Sequence, residues 1–87
     1  MSQSDIQEQQ GSAIPLSAAQ NGQRLRICGI RSGRGLRARL AALGIMVGVE
    51  VEMIGNTGNG PCIVSVMGGR VMLGRDMCEA ISGKPMQ

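Results

Sequence analysis

Arg31-Ser32-Gly33-Arg34-Gly35-Leu36-Arg37-Ala38-Arg39-Leu40-Ala41-Ala42-Leu43-Gly44 carries the one clear helical signature of the chain and four of its nine basic residues. Leu36, Leu40 and Leu43 recur at i, i+4 and i+7, one stripe on an α-helix. Arg37 and Arg39 flank that stripe on opposite sides, and Ala38, Ala41 and Ala42 form a smooth back. Alanine is the best helix former, which suits so short a segment. Gly44 stands where a left-handed C-terminal cap belongs. Ser32 is the candidate N-cap, although Gly35 three residues later provides no capping box. A helix this short is held mainly by packing, so the remaining sequence must supply an apolar layer beneath the leucines.

An 87-residue chain allows one small domain, and 43% hydrophobic residues are enough for its core. There is no Phe, Tyr or Trp, so the core is expected to consist of Leu, Ile, Val, Met and Cys. The formal charge is +3. Asp5 and Glu8 lie near the N-terminus, so from Ile14 onward nine basic residues face four acidic ones, a net of +5. That balance favours an acidic partner or a membrane-adjacent site. Cys28, Cys62 and Cys78 form no CxxC pair. An odd count without a signal peptide predicts reduced thiols in a cytoplasmic protein. No run approaches the ~20 apolar residues that span a bilayer, so the chain reads as soluble.

Residues 1–13 are polar and Gln-rich and are expected to form a disordered tail. The domain is placed at 14–82 and a C-terminal tail at 83–87. Gln23 to Ile30 reads as the first strand. After the helix, Val49-Glu50-Val51-Glu52-Met53-Ile54 alternates apolar and acidic residues, the pattern of a half-buried strand. Gly55 to Pro61 reads as a loop. Cys62–Met67 and Arg70–Leu73 read as strands joined by a Gly68-Gly69 turn, which would pair Val66 with Val71. Arg75 to Ile81 reads as a turn and a closing strand. The expected architecture is therefore mainly β, a small, strongly bent, five-stranded barrel with one short α-helix after the first strand.

The chain has no His, and no Ser or Cys has a base beside it in sequence, so an enzyme is not expected. Gly33-Arg34-Gly35 could offer backbone N–H groups to an anion but lacks Gly-Lys-Ser/Thr, and reads as a flexible start to the helix. The three Cys are soft donors, yet they are spaced like core residues of strands rather than like a ligand set, and no metal ligands are assigned. Glu50 and Glu52 project on one face and read as solvated. The arginines lack the aromatic platforms on which single-stranded nucleic acid stacks, so nucleic acid is not an expected partner. Ile63, Met67 and Met72 fall on the hairpin face opposite Val64 and Val66, beside Arg70, and mark a candidate protein contact. The candidate partner-binding residues are thus Arg31, Arg34, Arg37, Arg39, Ile63, Met67, Arg70 and Met72.

Several segments together resemble the FeoA family, the small cytosolic component of bacterial ferrous iron transport. They are Leu16-Ser17 and Gly22; Ile27-Cys28-Gly29-Ile30; Gly35 through Ile45 with its Leu43-Gly44 end; Gly48-Val49-Glu50-Val51; Gly60-Pro61; and Val71 through Ile81. The resemblance departs at Val47, where the family often has Pro, and at Ala19 and Asn21, where it often has Leu and Pro. It implies an SH3-like barrel, similar also to the C-terminal domains of iron-dependent repressors. It further implies an accessory protein that acts with FeoB, a membrane transporter with a cytosolic GTPase domain; the expected mode of action is docking on the cytosolic side of that transporter, where it could modulate it. Homo-oligomerisation and weak divalent-metal binding stay open. The alternatives are a free-standing transition-metal-binding or metal-responsive module and, third, a basic RNA-binding barrel.

Overall fold

Val51 and Met53 point into the core while Glu50 is exposed, as the alternation of that segment requires. The structure, a computed structural model, describes residues 12–31 and 33–86. The tail expected at 1–13 lies outside the described residues up to position 11, as does the candidate cap Ser32. Strand β1 (Ile14–Pro15) is followed by a 3-10 turn at Leu16–Ala18, strand β2 (Arg24–Ile30), helix α1 (Arg34–Ala42) and strand β3 (Glu50–Asn56). Then come β4 (Cys62–Val66), β5 (Gly69–Leu73), helix α2 (Arg75–Ala80) and β6 (Ile81–Pro85). All strands join one antiparallel sheet in the order β1-β6-β2-β3-β4-β5. Its edges are β1 and β5, so the sheet is not closed by hydrogen bonds. Register shifts between Ile27 and Gly29 in β2 and between Met53 and Gly55 in β3 are of the kind that bend a strand and increase its twist. The architecture is mainly β and SH3-like, with six strands and two helices where five and one were expected.

The core joins Leu16, Leu25, Ile27, Leu40, Ile45, Val51, Met53, Val64, Leu73 and Ile81 with the buried thiols Cys62 and Cys78. Helix α1 ends as the sequence indicates. Gly44 takes φ +90°, its N–H donates to the Ala41 carbonyl at 2.9 Å, and the Ile45 N–H donates to the Leu40 carbonyl at 2.9 Å. These two bonds make a Schellman cap, with Leu40 and Ile45 both buried as its hydrophobic pair. The cap also breaks the leucine stripe. The helix stops at Ala42, the chain reverses, and Ile45 occupies the core position that Leu43 was expected to take. Leu43 is 48% exposed.

Three further expectations are corrected. The hairpin turns at Met67-Gly68, with φ values of 51° and 83°, so Val66 pairs with Gly69 and Cys62 with Leu73. Two positive φ values give a primed turn whose twist matches the strands. The register differs from the expected one by two residues, so every side chain keeps its face, and the fully buried Cys62 and Leu73 come opposite each other. Residues 75–80 are helical rather than a turn and strand. Asp76 sits in the first turn, where a carboxylate complements the helix dipole, and Arg75 pairs with Glu79 at 3.4 Å. Finally, the closing strand is β6, which continues past position 82 to Pro85 and lies between β1 and β2. Gly83 is required there by close packing. A Cβ at that position would stand 3.0 Å from the Leu25 Cβ and 3.4 Å from the Arg26 carbonyl oxygen. No helix among the described residues is long and apolar enough to cross a membrane.

Candidate docking surface

Arg31, Arg34, Arg37 and Arg39 are all exposed. Leu36 and Leu40 turn inward, which leaves Arg34 and Arg37 neighbours on one flank of α1 and Arg39 beside Leu43 on the other. Arg31 leaves β2 with its N–H bonded to the Ala80 carbonyl at 2.7 Å, which ties the start of this segment to α2. Two ion pairs occur among the described residues, Arg26–Glu50 and Arg75–Glu79, both at 3.4 Å. The five candidate arginines, Arg70 included, stand outside them. They therefore present guanidinium groups whose charge is uncompensated at short range.

On the hairpin, Ile63 and Met72 are cross-strand partners, as are Ser65 and Arg70, and all four side chains share the outer face. Ile63 is half-buried and Met72 is 66% exposed. Met67 sits in the turn, 80% exposed, rather than on a strand face. The structure brings the helix and hairpin together at one point. A Cβ on Gly44 would lie 3.3 Å from the Met67 sulfur and 3.8 Å from a Val66 methyl, so the C-terminal end of α1 rests against the hairpin tip. Around that junction Leu43, Met46 at 44% and Val47 at 54% are also exposed. These three were not among the expected site residues. The signal available was Ile45-Met46-Val47, an apolar run that fits no strand before Gly48.

The thiols are disposed for packing. Cys28 is half-buried, whereas Cys62 and Cys78 are fully buried. The Cys62 S–H approaches Asn56 Oδ1 at 3.7 Å and the Cys78 S–H donates to the Leu73 carbonyl at 3.5 Å. Burial, reinforced by the neighbouring Cys62, pushes the Cys78 thiol from 9.0 up to about 12. Among the described residues, no group of three or more His, Cys, Asp or Glu could hold a metal ion.

Residues 14–85 match the FeoA domain family. A curated relative from Methanocaldococcus jannaschii, named "Putative Fe(2+) transport protein A", is 34% identical over 67 residues, spanning 77% of this chain and 80% of the relative. Among solved structures, the crystal structure of an iron uptake regulatory protein (FeoA) superposes with a TM-score of 0.82 at 24% identity, covering 86% of this chain and all of that one. A manganese-dependent transcriptional repressor superposes with a TM-score of 0.76 at 21% identity, covering 85% of this chain but 42% of the repressor. These two likenesses establish the shared fold.

Proposed function

The chain belongs to the FeoA family, and on that premise we propose that it is a cytoplasmic accessory protein of ferrous iron transport that docks on the cytosolic side of a FeoB-type transporter and modulates it. The observation that carries this reading is a helix with unpaired arginines on its flanks whose C-terminal end, beside the exposed Leu43, rests against the hairpin tip with the exposed Met67. Guanidinium groups pair well with carboxylates, and the alanine back of α1 lets a partner approach closely. Met67, long and unbranched, and the exposed Leu43 can fill an apolar recess on that partner. In such an interface the rim charges set the association rate, and the apolar anchors set the lifetime. The outer face of the hairpin, with Ile63, Arg70 and Met72, extends the proposed contact.

The test is binding kinetics against the cytosolic domain of the transporter. Arg34→Glu combined with Arg37→Glu slows association on the order of tenfold at low salt, and the effect shrinks as salt is raised. Met67→Asp acts mainly by speeding dissociation. Circular dichroism first establishes that each variant is folded. Unchanged kinetics in both folded variants would refute docking through this junction.

A further inference from the structure

The two edges of the sheet differ. β1 has two residues, one of them Pro15, and so offers almost nothing to a further strand. β5 has five residues with no proline and no bulge, and no neighbour on its outer side among the described residues. Such an edge is a template for pairing. We propose that β5 pairs with β5 of a second copy of this chain, antiparallel, about a two-fold axis through Val71.

The hydrogen-bonding parity supports that arrangement. A two-residue hairpin closes on a hydrogen-bonded pair, here Val66 and Gly69, and bonded pairs alternate along an antiparallel ladder. Gly69, Val71 and Leu73 therefore bond inward to β4. The N–H and C=O groups of Arg70 and Met72 point outward. These two residues are related as i and i+2, so a two-fold axis through Val71 sets Arg70 opposite Met72 of the second copy, and Met72 opposite Arg70 of the second copy. Each pair exchanges two N–H···O=C bonds, and all the outward groups of both residues are satisfied.

The side chains fit the same axis. Arg70 meets Met72 across the strands, not its own symmetry mate, so like charges are not directly opposed. The aliphatic stem of Arg70 can lie over the Met72 side chain of the second copy, which is 66% exposed in one chain. Val71, half-buried, meets its equivalent on the inner face. Five residues per chain bury far less than the ~1,200 Å² of a stable interface, so the dimer is weak and depends on concentration. Both copies are basic, so salt strengthens the pairing, whereas it weakens docking on an acidic partner. The proposal does not rest on the transporter reading.

Sedimentation velocity from about 10 µM to about 1 mM tests it. The mass should rise from 9.1 kDa toward twice that value, more so at high salt. Arg70→Pro and Met72→Pro each remove one outward N–H without touching the ladder to β4, and should leave a folded monomer at every concentration. A cross-linking arm reads the register directly in a Cys28→Ser background. Val71→Cys places two thiols across the axis at a Cα separation of ~4.5 Å, within disulfide range, and should give a covalent dimer with oxidised glutathione. Met72→Cys places them beyond ~7 Å and should not. A wild-type monomer throughout, a dimer that survives both proline substitutions, or cross-linking through Met72→Cys but not Val71→Cys would each overturn the proposal.

Discussion

Replacing Asn56 with Ala should unfasten the N-terminal turn from the sheet. Asn56 ends β3, half-buried, and its side chain reaches a segment nearly forty residues away. Its Nδ2 donates to the Ser17 carbonyl at 2.9 Å and the Ala19 carbonyl at 2.7 Å, while its Oδ1 accepts from the Gly58 N–H at 3.1 Å and from the Cys62 S–H at 3.7 Å. The last two are an exposed bond and a weak thiol donor, so the two amide donations dominate. At about 1 kcal/mol net each, plus a share of the penalty for stranding two part-buried carbonyls, the loss is about 2–3 kcal/mol. A domain of this size holds roughly 4–13 kcal/mol in all, so the change is a large fraction of it. At 4–8 °C per kcal/mol, Tm should fall by about 10–20 °C. Urea unfolding followed by far-ultraviolet circular dichroism is the assay, because the chain has no Trp or Tyr to report by fluorescence. The m-value should stay constant. Asn56→Asp should cost more, since a carboxylate would face the same two carbonyls, and should recover partly in acid. A loss under about half a kcal/mol for Asn56→Ala would show that the turn is held by the burial of Leu16 and Ala19 instead.

Leu40→Ala should cost about 2–5 kcal/mol, because Leu40 is fully buried, whereas Leu43→Ala should change stability by less than about 0.5 kcal/mol in the same urea assay. Gly44→Ala should cost about 1–2 kcal/mol, from the left-handed backbone at φ +90° and the crowding of the Met67 sulfur, and differential scanning calorimetry would register the drop. The folded-state pKa of Cys78 lies above its unfolded value of 9.0. The protonated thiol thus favours the native state fully below pH 9, and that contribution is lost as pH climbs toward about 12; urea midpoints measured across that window should decline, and should decline less in Cys78→Ala. With a thiol reagent, Cys28 should react first, and Cys62 and Cys78 only as fast as the chain opens.

The parts of the fold legible in sequence are those where several local signals agree. Glu50 and Glu52 bracket Val51 with the period of a strand, and Leu43-Gly44 gives both a helix end and its cap. The parts that were not legible lack such agreement. Arg75–Ala80 is too short for a helical period to emerge, and its N-cap, Gly74, carries no side chain to announce it. Ile81–Pro85 contains Ser, Gly, Lys and Pro and has the composition of a tail; only its place against Leu25 explains Gly83. At the hairpin, Gly-Gly is a stronger local turn signal than Met-Gly, but the burial of Cys62 and Leu73 in one row overrides it. The exposed arginines of the candidate surface could be read from the helical wheel. The approach of the helix end to Met67 could not, because the contact of Gly44 with the hairpin tip is made only by the tertiary fold.

The position of β6 has a consequence for how the protein is made. The strand that separates β1 from β2 begins at Ile81, about fifty residues after β2 ends at Ile30. While the chain emerges from a ribosome at 5–20 residues per second, β2 waits roughly 3–10 s for β6, first alone and then with only β3 beside it. During that interval Leu25 and Ile27 lie on a strand with one open side, and Leu16 has no sheet centre to pack into. Native pairing of such distant segments pays its loop-closure entropy late, so the domain should fold after synthesis of this region rather than along with it. Nascent chains halted before residue 81 should accordingly be the species most prone to aggregate and to engage chaperones.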